Sequence, residues 1–167
     1  MFQRMENCTI RKIEKKDNPA VASLIRAVFD ELNIPKVGTA YADPYLDLMF
    51  EEYNKPKSVY FVVECEGKIL GGAGVAHLEN EAEGICELQK MYFLPEVRGL
   101  GIGSQMMENC LQAAKDFGYK KCYLETMPFM HDAQKLYKKV GFEYICAPMG
   151  STGHVSCPVW MLKELAP

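Results

Sequence analysis

Little in this 167-residue chain ties it to a metal, a membrane or a polyanion. Its seven cysteines are an odd count, and no two stand in a CxxC spacing, which argues against a disulfide or zinc framework. Cys65, Cys86, Cys110 and Cys122 fall inside periodic segments and read as small buried hydrophobes in a reducing compartment. His77 and His131 have no metal-like spacing with other ligands, so no metal is expected. No apolar run approaches the roughly 20 residues that cross a bilayer. The opening MFQRMENCTI also lacks the apolar core of a signal peptide. A cytoplasmic protein with no membrane partner is the expectation. Basic residues number 19 against 22 acidic, for a net charge of −3, and no basic block is present to grip nucleic acid. Repeats and low-complexity segments are likewise missing.

What remains is one domain, residues 1–167, long enough to bury about two-thirds of its unfolded surface. NCTIRKIE reads as a strand. Asp17, Asn18 and Pro19 announce a helix whose Val21, Leu24, Ile25, Val28, Phe29 and Leu32 share one face. A less regular stretch follows, with a short helix from Tyr45 to about Tyr53. SVYFVVECE and KILGGAGVAHL flank Glu66-Gly67-Lys68 as a hairpin, and GICELQKMYFL is the next strand. Along that strand Cys86 and Leu88 have one parity and Met91 and Phe93 the other. Burying all four on one face requires an inserted residue, so a β-bulge is predicted near Gln89 and Lys90. A helix through Met106, Cys110 and Ala114 to Gly118 comes next. KKCYLET (strand), HDAQKLYKKV (helix), FEYICA and SCPVWMLKEL (strands) complete the chain, with Trp160 most simply in the core. Antiparallel hairpins before a βαβ crossover predict an α+β, three-layer fold, a mixed sheet with helices on both faces.

VRGLGIG, residues 97–103, places three glycines on alternate positions just before an amphipathic helix. A structural turn, a dinucleotide fingerprint and a cradle for another pyrophosphate all suit it, because a helix N-terminus offers unpaired amides and a positive dipole end. Glu125, at the end of the next strand, suits a ribose-binding acid. Against the dinucleotide reading, LPEVRG separates Phe93 from Leu100, and Ser104 stands where the third fingerprint glycine belongs.

Arg98-Gly99-Leu100-Gly101-Ile102-Gly103 resembles the Arg/Gln-x-x-Gly-x-Gly/Ala signature of the GNAT superfamily of acyl-CoA-dependent N-acetyltransferases. ELQKMYFLPEVRG looks like that family's fourth strand and its lead-in to the pyrophosphate loop. AQKLYKKVGF is similar to its second acetyl-CoA motif. The likeness spans nearly the whole chain in element order and is most specific over residues 85–145. It implies a mostly antiparallel sheet with a splayed, bulged central strand, and acetyl-CoA as cosubstrate. The pantetheine arm would pair with backbone of Met91, Tyr92 and Phe93, and the amides of Arg98, Gly99, Leu100, Gly101, Ile102, Gly103 and Ser104 would hold the pyrophosphate, with charge added by Arg98. Alternatively, Arg98 fixes the loop.

The resemblance further implies an amine attacking the thioester directly. Glu87 matches a position from which the family draws a general base, Tyr137 its thiolate proton donor, and the Met91 amide an oxyanion donor. Met130 stands where the family often has asparagine and would pack on the arm near Ala133. Lys135, with Lys138 and Lys139, suits the adenosine 3′-phosphate or a solvated helix face. Tyr41, Asp43 and Glu51 lie where family members shape the acceptor site, and His154 and Cys157 are further candidates for its lining. Cys157 has no visible activating partner for acyl-cysteine chemistry. The expected reaction moves an acetyl group to a primary amine of a small molecule or peptide. A protein or ribosomal N-terminal acetyltransferase and an idle acyl-CoA sensor are the alternatives. Homodimerisation through the last strands is left open.

Overall fold

The computed structural model describes residues 7–165. Among them the chain forms β1 (Cys8–Lys12), α1 (Asn18–Glu31), α2 (Met49–Tyr53), β2 (Val59–Cys65), β3 (Lys68–His77), β4 (Ile85–Phe93), α3 (Ile102–Asp116), β5 (Lys121–Thr126), α4 (His131–Lys139), β6 (Glu143–Ile145) and β7 (Val159–Glu164). The seven strands make one sheet in the order β1-β2-β3-β4-β5-β7-β6. Only the β4–β5 pair is parallel, as the single βαβ crossover through α3 requires.

Each face of the sheet carries its own core. Val63, Ala73, Cys86, Leu88 and Leu124 pack under α3 and α4 with Met106, Met107, Cys110 and Tyr137. Tyr60 and Val62 pack on the other face under α1 and α2, with Val21, Ile25, Phe29 and Met49. The helices therefore lie on both faces, as expected. Asp17 precedes α1, but its carboxylate does not cap the helix. It accepts instead from Arg11 at 2.8 and 3.0 Å and from the Glu14 amide at 2.8 Å.

The predicted bulge is present in β4. Gly74 pairs with Gln89 and Gly72 with Tyr92, so the stretch from Gln89 to Tyr92 spans one residue more than its partner. Lys90, at φ 50°, is left-handed within it. The parity break resolves as anticipated, with Met91 and Phe93 joining Cys86 and Leu88 on the α3 side while Tyr92 turns toward α1. Gly72 leaves room for Tyr60, since a Cβ there would lie 2.6 Å from the ring. The Tyr60 hydroxyl reaches past it to donate to the Lys90 carbonyl at 2.8 Å.

Two expectations need correcting. Cys8 and Cys65 form a disulfide. They lie 57 positions apart, and only the β1–β2 register sets them opposite one another, which no local spacing rule can see. Trp160 is half-buried rather than in the core, because its strand β7 ends the sheet with only the three-residue β6 outside it. The other assigned cysteines, Cys86, Cys110 and Cys122, are fully buried.

Candidate active site

β4 and β5 pair only as far as Glu87 and Tyr123, then diverge. A groove of about 460 Å³ opens beside the split, lined by Met91, Tyr92 and Phe93 on one side and by Met130, Ala133 and Tyr137 on the other. Gly99 and Gly103 lie along it. Gly99 and Gly101 have φ of 76° and 78°, and a Cβ at either would meet no atom within 4 Å. Conformation, not crowding, therefore asks for glycine there. Gly101 is also the N-cap of α3, whose first backbone bond runs from Gln105 back to Gly101. The amides of Ile102, Gly103 and Ser104 are consequently the orphan donors of a helix start, at the positive end of its dipole. The Ile102 side chain is buried, whereas Leu100 is 45% exposed.

Arg98 is committed to the protein itself. Its guanidinium donates to both Glu31 oxygens at 2.7 Å and to the Phe93 carbonyl at 2.8 Å, and its amide bonds Pro95. These contacts match the loop-fixing alternative. Lys135 is exposed on the outer surface of α4 with His131, Lys138 and Lys139, beside the groove rather than in it.

Tyr137 lines both this groove and a small cavity further in. Its hydroxyl has no hydrogen-bond partner among the described residues, and burial holds the phenol far above its ordinary value. Glu125, Lys90, Met130 and Cys157 also line the inner cavity. Glu87 is not part of its wall. It is buried, and its Oε1 accepts from Gln89 Nε2 at 2.6 Å while Gln89 Oε1 accepts from the Tyr53 hydroxyl at 2.5 Å. Burial pushes Glu87 up to about 7, against the Gln89 bond and with help from the Glu125 charge.

A second polar group completes this end of the site. Lys90, fully buried by its bulge, pairs with Asp43 at 2.7 Å and lies 4.7 Å from the centre of the Tyr45 ring. His154 Nε2 meets the same carboxylate at 3.0 and 3.1 Å. Burial would raise Asp43, but the bonds from His154 and Lys90 outweigh it and hold the carboxyl below its ordinary value. Glu125 accepts from Tyr123 at 2.8 Å and, by a short bond, from Thr152. Cys157 is pushed up to about 12, first by burial and then by nearby carboxylates, so it stays a thiol.

Residues 25–142 match the Acetyltransferase (GNAT) family. The chain belongs to that family. It is 45% identical over 157 residues to YjgM of Escherichia coli K12, an uncharacterized N-acetyltransferase, with 93% of this chain and 94% of that protein covered. The fold is that of a GNAT-family acetyltransferase from Staphylococcus aureus Mu50, with a TM-score of 0.83 at 18% identity over 96% of this chain and 100% of the other. It is also that of yncA from Salmonella typhimurium, a structure solved with its cofactor acetyl-CoA, with a TM-score of 0.76 at 19% identity over 97% and 96% of the two chains.

Measured against this GNAT chain's geometry, the residues named from sequence divide. Met91, Tyr92, Phe93, Met130, Ala133 and Tyr137 converge on the groove, and Asp43 and His154 meet each other beside Lys90. Tyr41 packs on Phe29, with ring centres 5.6 Å apart. Glu51 turns away to bond Asn18 at 2.7 Å. Nothing in the sequence marks Tyr53, Gln89, Lys90, Tyr123 and Thr152 as site residues. Parity pointed to the bulge at Lys90, but nothing in the sequence signalled that the inserted residue would be a buried cation.

Proposed function

We propose that the chain transfers an acetyl group from acetyl-CoA to a primary amine of a small molecule, by direct attack of the amine on the thioester. The observation that carries this reading is the junction at Tyr137, whose side chain borders both the groove and the smaller cavity beside it. The groove fits acetyl-CoA. It offers a split strand edge for the pantetheine amides and, in the stretch from Gly99 to Ser104, left-handed glycines and orphan helix amides for the pyrophosphate. Bound there, acetyl-CoA supplies an activated acetyl thioester.

Glu87 accepts the proton that the amine sheds. Glu87 is buried and does not line the cavity, so in this reading a bridging water carries the proton to it, and a value of about 7 leaves the carboxylate available near neutrality. The hydroxyl of Tyr137 gives a proton to the departing sulfur, and the Met91 amide faces the developing oxyanion. A carbon–nitrogen bond forms as the carbon–sulfur bond breaks.

The acceptor end supports a small molecule over a protein N-terminus. The loop between β6 and β7 crosses it and is tied down along its length. Thr152 bonds Glu125, and His154 bonds Asp43 at 3.0 Å. Further along, Ser156 bonds the Val37 carbonyl at 2.9 Å. A polypeptide would have to displace this roof. A cytoplasmic location also belongs to the proposal, on the strength of the acetyl-CoA requirement.

The test is CoA release from acetyl-CoA across free amino acids, polyamines, aminosugars and short peptides. Turnover confined to small amines supports the reading. Turnover confined to peptides or ribosomal protein would transfer it to the N-terminal acetyltransferases. Saturable acetyl-CoA binding with no turnover on any acceptor would favour the sensor.

A further inference from the structure

Glu87 does not stand alone in its pocket. Its only side-chain donor among the described residues is Gln89, and Gln89 in turn is held by Tyr53, 36 positions earlier in the chain. We propose that Tyr53 and Gln89 are positioning residues, a polarised chain that keeps Glu87 in the form that accepts a proton. The proposal rests on Glu87 serving as the base.

The direction of the bonds carries the argument. The Tyr53 hydroxyl donates to the Gln89 carbonyl, which leaves the amide N–H groups pointing at the Glu87 carboxylate. A buried amide aimed this way stabilises the charged carboxylate by a charge-assisted bond, and the donor behind it strengthens that bond. If Glu87 is protonated on Oε2, the same Gln89 N–H meets a neutral carbonyl oxygen at Oε1. That bond is no longer charge-assisted and is about half as strong. Tyr53 therefore favours the ionised state although it never touches Glu87. Tyr53 is buried, and its ring lies 5.1 Å from that of Tyr60, so α2 holds the hydroxyl in place.

Other groups also act on Glu87 and must be held constant in any test. Glu125 and Tyr123 act on it from β5, His154 and Cys157 from the β6–β7 loop, Lys90 from the bulge and Tyr45 from the turn before α2. None of them is altered by removing the Tyr53 oxygen. Tyr53→Phe keeps the ring packing and deletes only the donor. Gln89→Leu deletes the bond to the carboxylate itself.

The experiment is a titration of the Glu87 side-chain carboxyl by carbon NMR in protein labelled at the glutamate carboxyl carbon, with the resonance assigned by its loss in Glu87→Gln. It requires no acceptor. Tyr53→Phe is expected to move the Glu87 midpoint upward by roughly half a pH unit to one pH unit, and Gln89→Leu further in the same direction. With a working acceptor, the rising limb of kcat/KM should shift with it. A lower melting temperature with an unmoved midpoint in both variants would make Tyr53 and Gln89 merely structural and overturn the proposal. Should Glu87→Gln retain full activity, the base assignment fails instead, while the titration still reports on the chain.

Discussion

At Glu87, burial works against charge, and the consequences for stability and for activity run in opposite directions. Its value in the fold, about 7, lies above the ordinary 4.5. The stability it contributes is complete below about 4.5, declines as the pH climbs toward 7 and is absent above that. With Glu87 as the proposed base, activity should follow the opposite course, because only the ionised carboxylate accepts a proton. Glu87→Gln should therefore lower kcat/KM by roughly 10²- to 10⁴-fold, and yet stabilise the protein at pH 8 by about 1–3 kcal/mol in urea unfolding. A variant that loses activity and stability together would mean that Glu87 is structural. Tyr137→Phe removes a hydroxyl with no partner among the described residues. It should cut kcat by roughly 10²-fold and leave acetyl-CoA binding by calorimetry unchanged. The sequence can name Glu87 and Tyr137 as candidates because they sit in segments that resemble family motifs. Tyr53 and Gln89 were not, since a bond between distant positions leaves no local pattern.

The bulge in β4 shows how one element builds the site. An extra residue opens the strand edge, reverses side-chain parity and, in the left-handed region, buries a lysine against Asp43. The alternation of apolar residues made the bulge readable in advance, because a strand has period two and any break must be an insertion. The ion pair was not readable, because Asp43 arrives from a loop without periodicity. Lys90→Met should destabilise the protein by roughly 2–4 kcal/mol, since it strands a buried carboxylate that His154 satisfies only in part. Adding Asp43→Asn should recover some of that loss in a double-mutant cycle. Additive losses would contradict the pairing. The glycine turn makes a different prediction. Gly101→Val forces a β-branched residue into a left-handed position with open space around it. Strain of about 1–2 kcal/mol should follow, together with weaker acetyl-CoA binding, readable as separate changes in melting temperature and Kd.

Across the whole molecule, order and layering follow from the sequence because the periodicity of the main helices and strands is strong. What escaped came from pairings between distant segments. The Cys8–Cys65 disulfide is one, fixed by the β1–β2 register alone. Cys8→Ser should cost about 2–4 kcal/mol in oxidised protein and nothing in excess reductant. The roof is another, since residues after β6 carry no motif but fasten to β5 and to the loop after α1. The proposed catalysis draws on all three scales, with a sheet that splits, a bulge that buries polar groups at the split and a carboxyl held near 7 there. Its most direct test is the pH dependence of CoA release from acetyl-CoA by wild type and Glu87→Gln, using the best amine found in the acceptor panel. The account predicts that wild-type kcat/KM rises through a midpoint near 7, and that the variant is slow without that limb. An unchanged limb in Glu87→Gln would contradict it.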